Sequence, residues 1–399
     1  MERKKSILAV NTGSSSIKFA LYETGTDEVL ALSGSLTRIG SAEARFTVQA
    51  GHGGTLLDEC AAFRDHDAAC ERVFSWILSN GTGRPDAIGH RMVHGGQRHG
   101  APEAVTPALM ASMEEISAYA PEHLPQALKA VSHAGSLMPG VLQVACFDTA
   151  FHRSMPPVAR LYPLPETVRK EGVERYGFHG LSYEYLQSEL ERQEGPAAVR
   201  GRMILAHLGH GASMAALQDG RSVETTMGFS PAGGLVMSTR TGDLDPGVIL
   251  FLLQQDRLSS GEIKEMVNRH SGLLGVSGTS DDMRDLLAAE ASDCRARQAV
   301  ELFCYQARKS MGALAAVLGG LDMLVFTGGI GEHSAVVRSR ICSGLEFLGI
   351  ELDDAKNGAN QPVISKEAGR VSVRVMKTNE ELTIVRQTRR ILDRMNVKR

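Results

Sequence analysis

The sequence lacks three features that would assign it to a familiar class of protein. Its 399 residues carry a formal net charge of only −3, so there is no basic field to attract nucleic acid. No apolar run reaches the roughly 18 residues that a membrane-spanning helix requires. No C-x-x-C pair occurs, which argues against a zinc site. We therefore expect neither a nucleic-acid nor a membrane partner.

Six cysteines lie far apart, at positions 60, 70, 146, 294, 304 and 342. Their spacing does not predict a disulfide framework, so we expect reduced and mostly buried thiols. The charged start of the chain leads at Ser6 into a strand-like segment rather than into the apolar core of a signal peptide. The sequence therefore predicts a cytoplasmic protein.

A sequence pattern near the start of the chain recurs 196 residues later. In residues 7–21 and again in residues 202–217, an apolar run meets a turn rich in glycine or serine and then resumes. Each copy predicts a β-hairpin whose turn presents backbone amides to an anion. Because the repeat is offset by about half the chain, we expect two like domains that face each other across a cleft.

Polar residues follow two predicted strands of the first half. The apolar strand 87–93 contains Arg91 near its end, and Asp148 comes directly after the apolar strand 141–147. In open α/β sheets, ligands gather at the carboxyl ends of the strands. These polar residues are therefore the first candidates for a chemical role.

The second half contains another glycine-rich segment. The predicted strand 321–326 runs into residues 327–333, TGGIGEH, and a helix is predicted from about Ser334. A glycine-rich turn between a buried strand and a helix is a candidate nucleotide site, although a tight packing turn has the same pattern. Apolar periodicity also predicts helices over residues 66–79 and 247–255.

Nine short motifs are distributed over essentially the whole chain: VNTGSSSIKF, HRMVHGG, FDTAFH, RYGFHG, HLGHG, MGFSPAGGLVMSTRTGDLDPG, SGTSDDMRD, FTGGIGEH and TNEEL. Their order and spacing resemble those of the acetate kinase family. The resemblance implies the α/β fold of the sugar kinase, Hsp70 and actin superfamily, with two duplicated actin-like, ribonuclease H-like domains (βββαβαβα) around a central cleft. It implies an N-terminal domain of residues 1–150, joined by a C-terminal helix at about 380–399, and a nucleotide-binding domain of residues 151–379.

The resemblance implies reversible phosphoryl transfer from ATP to acetate, giving acetyl phosphate and ADP. It also implies Mg²⁺ as the metal, with Mn²⁺ as an alternative, and a homodimer. Phosphoryl transfer depends on alignment and charge neutralisation, and paired guanidinium donors suit carboxylate and phosphoryl oxygens. The catalytic residues that the resemblance implies are Arg91, Asp148, His179 and Arg240. We expect replacement of either arginine to slow catalysis and to leave folding nearly unchanged.

The resemblance also implies ligands for each reactant. The predicted substrate-binding residues are Arg91, Val93, His123, Phe178 and Pro231. The predicted nucleotide-binding residues are Lys18, His207, Leu208, Gly209, His210, Gly211, Asp282, Met283, Arg284, Gly329, Ile330, Gly331, Glu332 and His333. The predicted metal ligands are Asn11 and Glu380, whose hard oxygen atoms suit Mg²⁺.

Asp148 is not predicted to act as a general base. Acetate is already ionised at pH 7, so the forward reaction requires no proton abstraction. We interpret Asp148 as a residue that positions a magnesium-bound water or the substrate. Capping the turn after its strand is the alternative interpretation.

The chain departs from the family pattern at several site positions. The family usually has asparagine where this chain has His210 and His333, and a GTSH run where it has Gly180-Leu181-Ser182-Tyr183. Ala232-Gly233-Gly234 replaces a common Leu-Glu-Gly, and Glu122 replaces a leucine common in the acyl pocket. Histidine still donates hydrogen bonds to phosphate or ribose, so ATP use remains the expectation. The preference for acetate or propionate stays open.

Other functions are weighed against this one. A propionate or other short-chain acyl kinase would use the same scaffold. A nucleotide-gated binding protein in the manner of Hsp70 or actin would not need Arg91, Arg240 or His179, and the sequence contains no additional substrate-binding domain. A sugar kinase needs a base for its hydroxyl acceptor, and we identify no sugar-binding set of polar residues.

Overall fold

The structure is a computed structural model that describes residues 4–80, 83–254 and 257–397. Two sequence-based predictions reach beyond these ranges. Gln255, the predicted end of one helix, and residues 398–399, the predicted end of the C-terminal helix, lie outside the described residues.

The chain forms two compact units. The first contains residues 1–150 and 379–399, and the second contains residues 151–378. Each unit has its own β-sheet, and helices pack on both sheets. The predicted α/β fold class is confirmed, with one sheet in each unit.

The first unit contains an eight-stranded sheet with the order β5-β4-β3-β2-β1-β6-β8-β7. The strands are β1 (Lys5–Thr12), β2 (Ser16–Thr24), β3 (Glu28–Thr37), β4 (Arg45–Ala50), β5 (Thr55–Cys60), β6 (Ala87–Met92), β7 (Glu103–Ala104) and β8 (Leu142–Phe147). β1 and β2 form the predicted antiparallel hairpin, which places Asn11 opposite Lys18. β1, β6 and β8 run parallel, so their carboxyl ends lie at one edge.

Helices cover both faces of this sheet around β1. The helices of the first unit are α1 (His66–Ser79), α2 (Pro107–Glu115), α3 (Leu124–Leu137) and α15 (Glu380–Val397). Leu8 and Val10 join the core that α1 and α3 build, while alternation turns Ile7 and Ala9 to the other face, where α15 packs. This burial on both faces explains the continuous apolar run of β1.

A glycine lets α15 approach the sheet closely. A Cβ atom on Gly89 of β6 would lie 2.2 Å from Thr388 Oγ1 and 2.5 Å from Ile384 Cγ2, both on α15. Any larger side chain would push the helix away from the strand. The start of α15, at Glu380, is therefore held against the carboxyl ends of the central strands.

The second unit contains a five-stranded sheet with the order β11-β10-β9-β12-β13. The strands are β9 (Arg202–Leu208), β10 (Ala212–Gln218), β11 (Arg221–Thr225), β12 (Met323–Thr327) and β13 (Ser372–Val375). β9 and β10 form the second predicted hairpin, with Ser213 opposite His207. β9 pairs in parallel with β12.

The helices of the second unit are α4 (Pro157–Arg160), α5 (Glu166–Arg169), α6 (Gly180–Glu194), α7 (Pro246–Leu253), α8 (Ser260–Arg269), α9 (Gly272–Ser277), α10 (Met283–Ala289), α11 (Cys294–Leu318), α12 (Gly328–His333), α13 (Ala335–Cys342) and α14 (Asp354–Gly358). Short 3-10 helices occur in both units: Ser117–Tyr119 lies in the first unit, Ala150–Ser154 spans the boundary, and Pro196–Val199 and Glu346–Leu348 lie in the second. α6 packs its buried face on the sheet through Tyr183, Leu186 and Leu190.

The structure corrects one sequence-based prediction in this unit and confirms another. Residues 328–333, predicted as a turn, form the short helix α12, and Ser334 caps the following helix by accepting from Val337 N at 3.4 Å. The helix predicted over 247–255 is α7, which spans Pro246–Leu253.

Among the described residues, no helix combines the length and the apolar composition needed to cross a membrane. All six cysteines are free thiols. Cys70 and Cys342 are buried, and burial raises the pKa of each thiol to about 12. Cys60 and Cys294 are exposed, so the prediction of mostly buried thiols holds for the other four.

Candidate active site

In the first unit, Arg91 is the centre of a polar cluster. Its Nε and Nη2 atoms donate to Asp148 Oδ2 at 3.0 and 2.5 Å, and its Nη1 atom donates to Asn11 Oδ1 at 3.1 Å. Asn11 Nδ2 in turn donates to Glu380 Oε2 at 3.1 Å and more weakly to Glu381 Oε1 at 3.5 Å. The structure thus brings the predicted residues Arg91, Asp148, Asn11 and Glu380 together.

The sheet topology explains this convergence. Asn11 lies near the end of β1, Arg91 lies near the end of β6, and Asp148 follows β8 directly. These three parallel strands are neighbours, and carboxyl ends of neighbouring strands are where ligands gather in such sheets. Glu380 arrives from α15, which packs on the same strands.

Burial and charge determine the protonation of this cluster. Burial raises the pKa of Glu380 to about 7; Arg91 opposes the rise, whereas Asp148 and Glu381 add to it. For Arg91, burial favours a lower pKa, but the carboxylates of Asp148 and Glu380 outweigh it and raise the pKa. The guanidinium therefore stays charged, and the Glu380 carboxyl group binds a proton more readily than an exposed glutamate does.

The cluster has the chemistry of a sparse magnesium site. Asp148 is fully buried, and its Oδ1 atom has no hydrogen-bond partner in the described part of the protein. In the same part of the chain, no three His, Cys, Asp or Glu side chains are arranged to enclose a metal. Mg²⁺ usually takes only one or two carboxylates and completes its octahedron with water and phosphate. The oxygens of Asp148, Asn11 and Glu380 fit that requirement.

In the second unit, two stacked histidine rings lie beside the hairpin turn. The rings of His179 and His207 are stacked, with centroids 4.2 Å apart and planes inclined by 21°. A Cβ atom on Gly211 would lie 3.2 Å from His179 Nε2 and 3.6 Å from Arg240 Nη1. His179 and Arg240 therefore direct their nitrogens at the same stretch of backbone.

Backbone geometry singles out His179. Its φ angle is +60°, in the left-handed region that residues other than glycine rarely occupy. Such conformations cost about 1–3 kcal/mol and concentrate at functional sites. The strained residue lies directly before α6, so the helix start fixes where its ring points.

A cavity of about 630 Å³ lies within the second unit. This volume is in the range of small-molecule sites. Four segments build its wall: the turn after β9, the loop between β11 and α7, α10 with the two residues before it, and α12 with the residue that follows it. The lining residues are Gly209, His210, Ser238, Asp281, Asp282, Met283, Arg284, Leu287, Gly329, Ile330, His333 and Ser334.

Comparison with known proteins identifies the family. The model of the acetokinase family matches residues 6–386. The chain belongs to the acetokinase family. As a member of it, the chain is an ATP-using phosphotransferase whose acceptor is a carboxyl group.

Individual relatives agree with this assignment. An acetate kinase from Rhodopseudomonas palustris strain TIE-1 is 44% identical over 396 residues, which cover 97% of this chain and 98% of that protein. The crystal structure of Porphyromonas gingivalis acetate kinase is 37% identical with a TM-score of 0.86, covering 97% of this chain and 100% of that chain. The crystal structure of a propionate kinase from Francisella tularensis is 33% identical with a TM-score of 0.89, covering 97% of this chain and 99% of that chain. The predicted family and fold are thereby confirmed.

Most nucleotide-binding residues predicted from the acetokinase resemblance line the cavity. Leu208 and Gly331 are instead buried beneath its wall, and Lys18 is an exposed residue of the first unit. The Glu332 carboxylate accepts hydrogen bonds from Thr327 Oγ1 and Gly328 N at 3.2 and 3.0 Å. Glu332 thus holds the start of α12.

Four residues of the cavity escaped the sequence reasoning: Ser238, Asp281, Leu287 and Ser334. The sequence nevertheless contains patterns that point to three of these residues. Ser238 and Asp281 lie inside the motifs MSTRTGD and SGTSDDMRD. Leu287 lies four residues after Met283 on α10, which places both on one helix face.

His210 is one of the positions where the chain departs from the acetokinase pattern. It is exposed, and its Nε2 atom lies 3.2 Å from Asp281 Oδ2. The ring and this carboxylate both line the cavity. A histidine at this position therefore brings an acidic partner to the mouth of the predicted nucleotide site.

The residues predicted to contact the acyl group are divided between the two units. Val93 is buried in the first unit, and Phe178 is buried in the second, where the Pro231 carbonyl accepts from Arg240 Nη1 at 3.0 Å. Glu122 and His123 are half-buried just before α3. Their contact with a substrate stays a prediction.

Proposed function

We propose that the protein catalyses reversible transfer of the γ-phosphoryl group of ATP to acetate, giving acetyl phosphate and ADP. One observation carries the proposal: a cavity of nucleotide size lies beside the hairpin turn that His179 and Arg240 flank. A glycine-rich turn presents backbone amides to phosphate, and the two side chains add donors for the oxygens of the transferring group. This combination suits phosphoryl transfer, in which alignment and charge neutralisation supply most of the catalysis.

We assign nucleotide binding to the second unit. The base and ribose would occupy the cavity, and the phosphates would lie at the turn formed by residues 209–211. Arg240 and His179 would donate to the equatorial oxygens of the transferring phosphoryl group, where negative charge is stabilised by preorganised donors. His179 is a catalytic residue under this assignment.

We assign acetate and metal binding to the cluster of the first unit. The Arg91 guanidinium remains charged beside Asp148, and it would bind the acetate carboxylate or a phosphoryl oxygen. Asp148, Asn11 and Glu380 would hold Mg²⁺, which neutralises phosphate charge when bound. Because acetate is ionised at pH 7, no residue is required as a base. ATP and acetate meet in the cytoplasm, where we place the reaction.

Propionate is the second candidate acceptor. The propionate kinase of Francisella tularensis matches this fold with a TM-score of 0.89, and Glu122 replaces an apolar residue of the family's acyl pocket. One methylene in a shaped apolar pocket is worth about 10–200-fold in kcat/KM. The two acids are therefore separable by kinetics.

The experiment is to trap acyl phosphate with hydroxylamine in reactions of ATP with acetate, propionate and butyrate. We expect Mg²⁺-dependent hydroxamate with acetate at the highest kcat/KM and background hydroxamate when EDTA is present. A higher kcat/KM for propionate would reassign the acceptor. Background hydroxamate with all three acids would refute the enzymatic function and favour a nucleotide-gated binding protein.

We also propose that the protein is a homodimer that buries α7. This helix has the sequence PGVILFLL and no buried residue in the described chain. Leu250 and Phe251 are 57% and 53% exposed. A contiguous exposed apolar surface of this kind marks an interaction site, and a second copy of the chain is the partner that we propose.

Light scattering coupled to size-exclusion chromatography tests the dimer. We expect the wild type to elute with the mass of two chains. We expect Phe251→Glu to shift the eluted mass toward one chain, because it puts a carboxylate into the apolar interface and removes the ring over which the Arg257 guanidinium lies at 4.5 Å. Val29→Glu is the matched control, since Val29 is a 53% exposed apolar residue of the first unit. A Phe251→Glu variant that keeps the dimer mass would exclude α7 from the interface.

A further inference from the structure

The two stacked histidines are held in the same way. His179 Nδ1 lies 2.8 Å from Ser213 Oγ, and His207 Nδ1 lies 2.8 Å from Ser182 Oγ. The Nε2 atoms point the other way, toward the turn: that of His207 lies 3.7 Å from a Cβ position on Gly209. Each imidazole therefore has a serine on one nitrogen and presents the other to the predicted phosphate site.

A second hydroxyl group contacts each of these serines. Ser213 Oγ lies 2.5 Å from the Tyr183 hydroxyl, and Ser182 Oγ lies 2.8 Å from Thr378 Oγ1. Both Ser213 and Tyr183 are fully buried. Hydrogen bonds are stronger inside the protein than in water, so this buried chain of hydroxyl groups holds the ring that it contacts.

Helix geometry places Tyr183 at Ser213. Tyr183 follows His179 by four residues, and its backbone N–H donates to the His179 carbonyl at 3.0 Å, closing the first turn of α6. Residues four apart lie on one face of a helix, so the phenol reaches the serine that also contacts the His179 ring. Tyr183 is at one of the positions where the chain departs from the family's GTSH run.

The direction of the hydrogen bonds follows from acidity. A phenol is a stronger acid than an aliphatic hydroxyl, so Tyr183 is the donor to Ser213 Oγ. Ser213 then has its own proton available for His179 Nδ1, which lies 2.8 Å from the serine oxygen. A neutral imidazole that accepts at Nδ1 carries its proton on Nε2, the nitrogen that faces Gly211 and Arg240.

We propose that Tyr183, acting through Ser213, is a positioning residue that fixes the orientation of the His179 ring and places its proton on Nε2. In this form Nε2–H is a donor for an oxygen of the transferring phosphoryl group. This use of the donor rests on the function proposed above, whereas the location of the proton does not.

The test is a two-bond ¹H–¹⁵N NMR spectrum of the protein labelled in its histidine rings, recorded without substrates. The His179 signals are assigned by their loss in His179→Gln. We expect the wild type to show the Nε2–H tautomer, and Tyr183→Phe to show a measurable fraction of Nδ1–H. Tyr185→Phe, which removes the same hydroxyl from the same helix two residues further on, should match the wild type.

Kinetics give the second readout. Losing one neutral hydrogen bond in the chain should lower kcat of Tyr183→Phe roughly 3–10-fold, with the KM for ATP changed by less than about twofold because the nucleotide cavity is untouched. Ser213→Ala, which removes the direct partner of His179, should lower kcat further. A wild-type proton on Nδ1, or a Tyr183→Phe variant with unchanged tautomer and kcat, would overturn the proposal. A tautomer shift in a protein that forms no acyl phosphate would refute the proposed function and leave the positioning role intact.

Discussion

Replacing Arg91 with alanine is expected to lower kcat by roughly 10²–10³-fold, the effect of losing one preorganised donor to the transition state. It is also expected to destabilise the protein by about 3–5 kcal/mol, because Asp148 is left as a buried charge without its partner. Asp148 is fully buried, and among the described residues only Arg91 donates side-chain hydrogen bonds to it. The expectation from sequence that folding would be nearly unchanged is therefore revised.

A double variant separates the two effects of Arg91. Asp148→Asn removes the charge that Arg91→Ala would leave unpaired, so the combined variant should regain much of the lost stability in urea unfolding. Its kcat should stay low, since the guanidinium is still absent and the Asp148 carboxylate, which we assign to metal binding, is absent as well. Full activity in the folded double variant would exclude Arg91 from catalysis, and an undiminished stability of Arg91→Ala would show that the ion pair contributes little.

Replacing Arg338 with methionine is expected to be the most destabilising change in the second unit. Arg338 is fully buried on α13, and within the described residues it pairs with no carboxylate. Nη1 donates to the carbonyls of Gly331 and Glu332 at 2.9 and 3.0 Å, and Nη2 donates to the Asn357 carbonyl at 2.9 Å. Each buried acceptor that is left unsatisfied costs about 1–3 kcal/mol, so a loss of at least about 3 kcal/mol is expected.

Arg340→Met is the matched control for Arg338→Met in urea unfolding. Arg340 lies on the same helix, is 37% exposed, and makes a surface ion pair with Glu290 at 2.7 Å. Such pairs contribute about 0–1 kcal/mol. Arg338→Met should also raise the KM for ATP, because the carbonyls that it holds belong to α12, which lines the cavity. Equal destabilisation by the two variants would show that the buried hydrogen bonds of Arg338 do not stabilise the second unit more than a surface ion pair does.

The α12 segment shows why a turn was predicted where a helix forms. Glycine is a poor helix former, and residues 328–333 include three glycines. The helix forms because both of its ends find partners: Glu332 accepts from Gly328 N, and Arg338 donates to the last carbonyls. Neither partnership is visible in a local pattern.

The polar cluster around Arg91 shows a similar division. The end of β6 and the residue after β8 were predicted because apolar strands followed by polar residues are local patterns. Glu380 accepts a hydrogen bond from Asn11, which lies 369 residues earlier in the sequence. No local pattern predicts this contact, and Glu380 was a candidate only because of the resemblance to the acetate kinase family. The pKa of about 7 for Glu380 arises from burial and from neighbours on three other segments.

The sequence by itself determined the two hairpins, the strands whose ends carry polar residues, and the family to which the motifs belong, because each depends on residues close together along the chain. The tertiary structure decided the α12 helix, the position of Glu381 as a second carboxylate beside Asn11, and the cavity residues Ser238 and Leu287. It also decided which serine contacts each of the two stacked histidines. Hydrogen bonds require atoms within about 3 Å of each other. That proximity is set by how distant segments pack, which no local pattern of residues encodes.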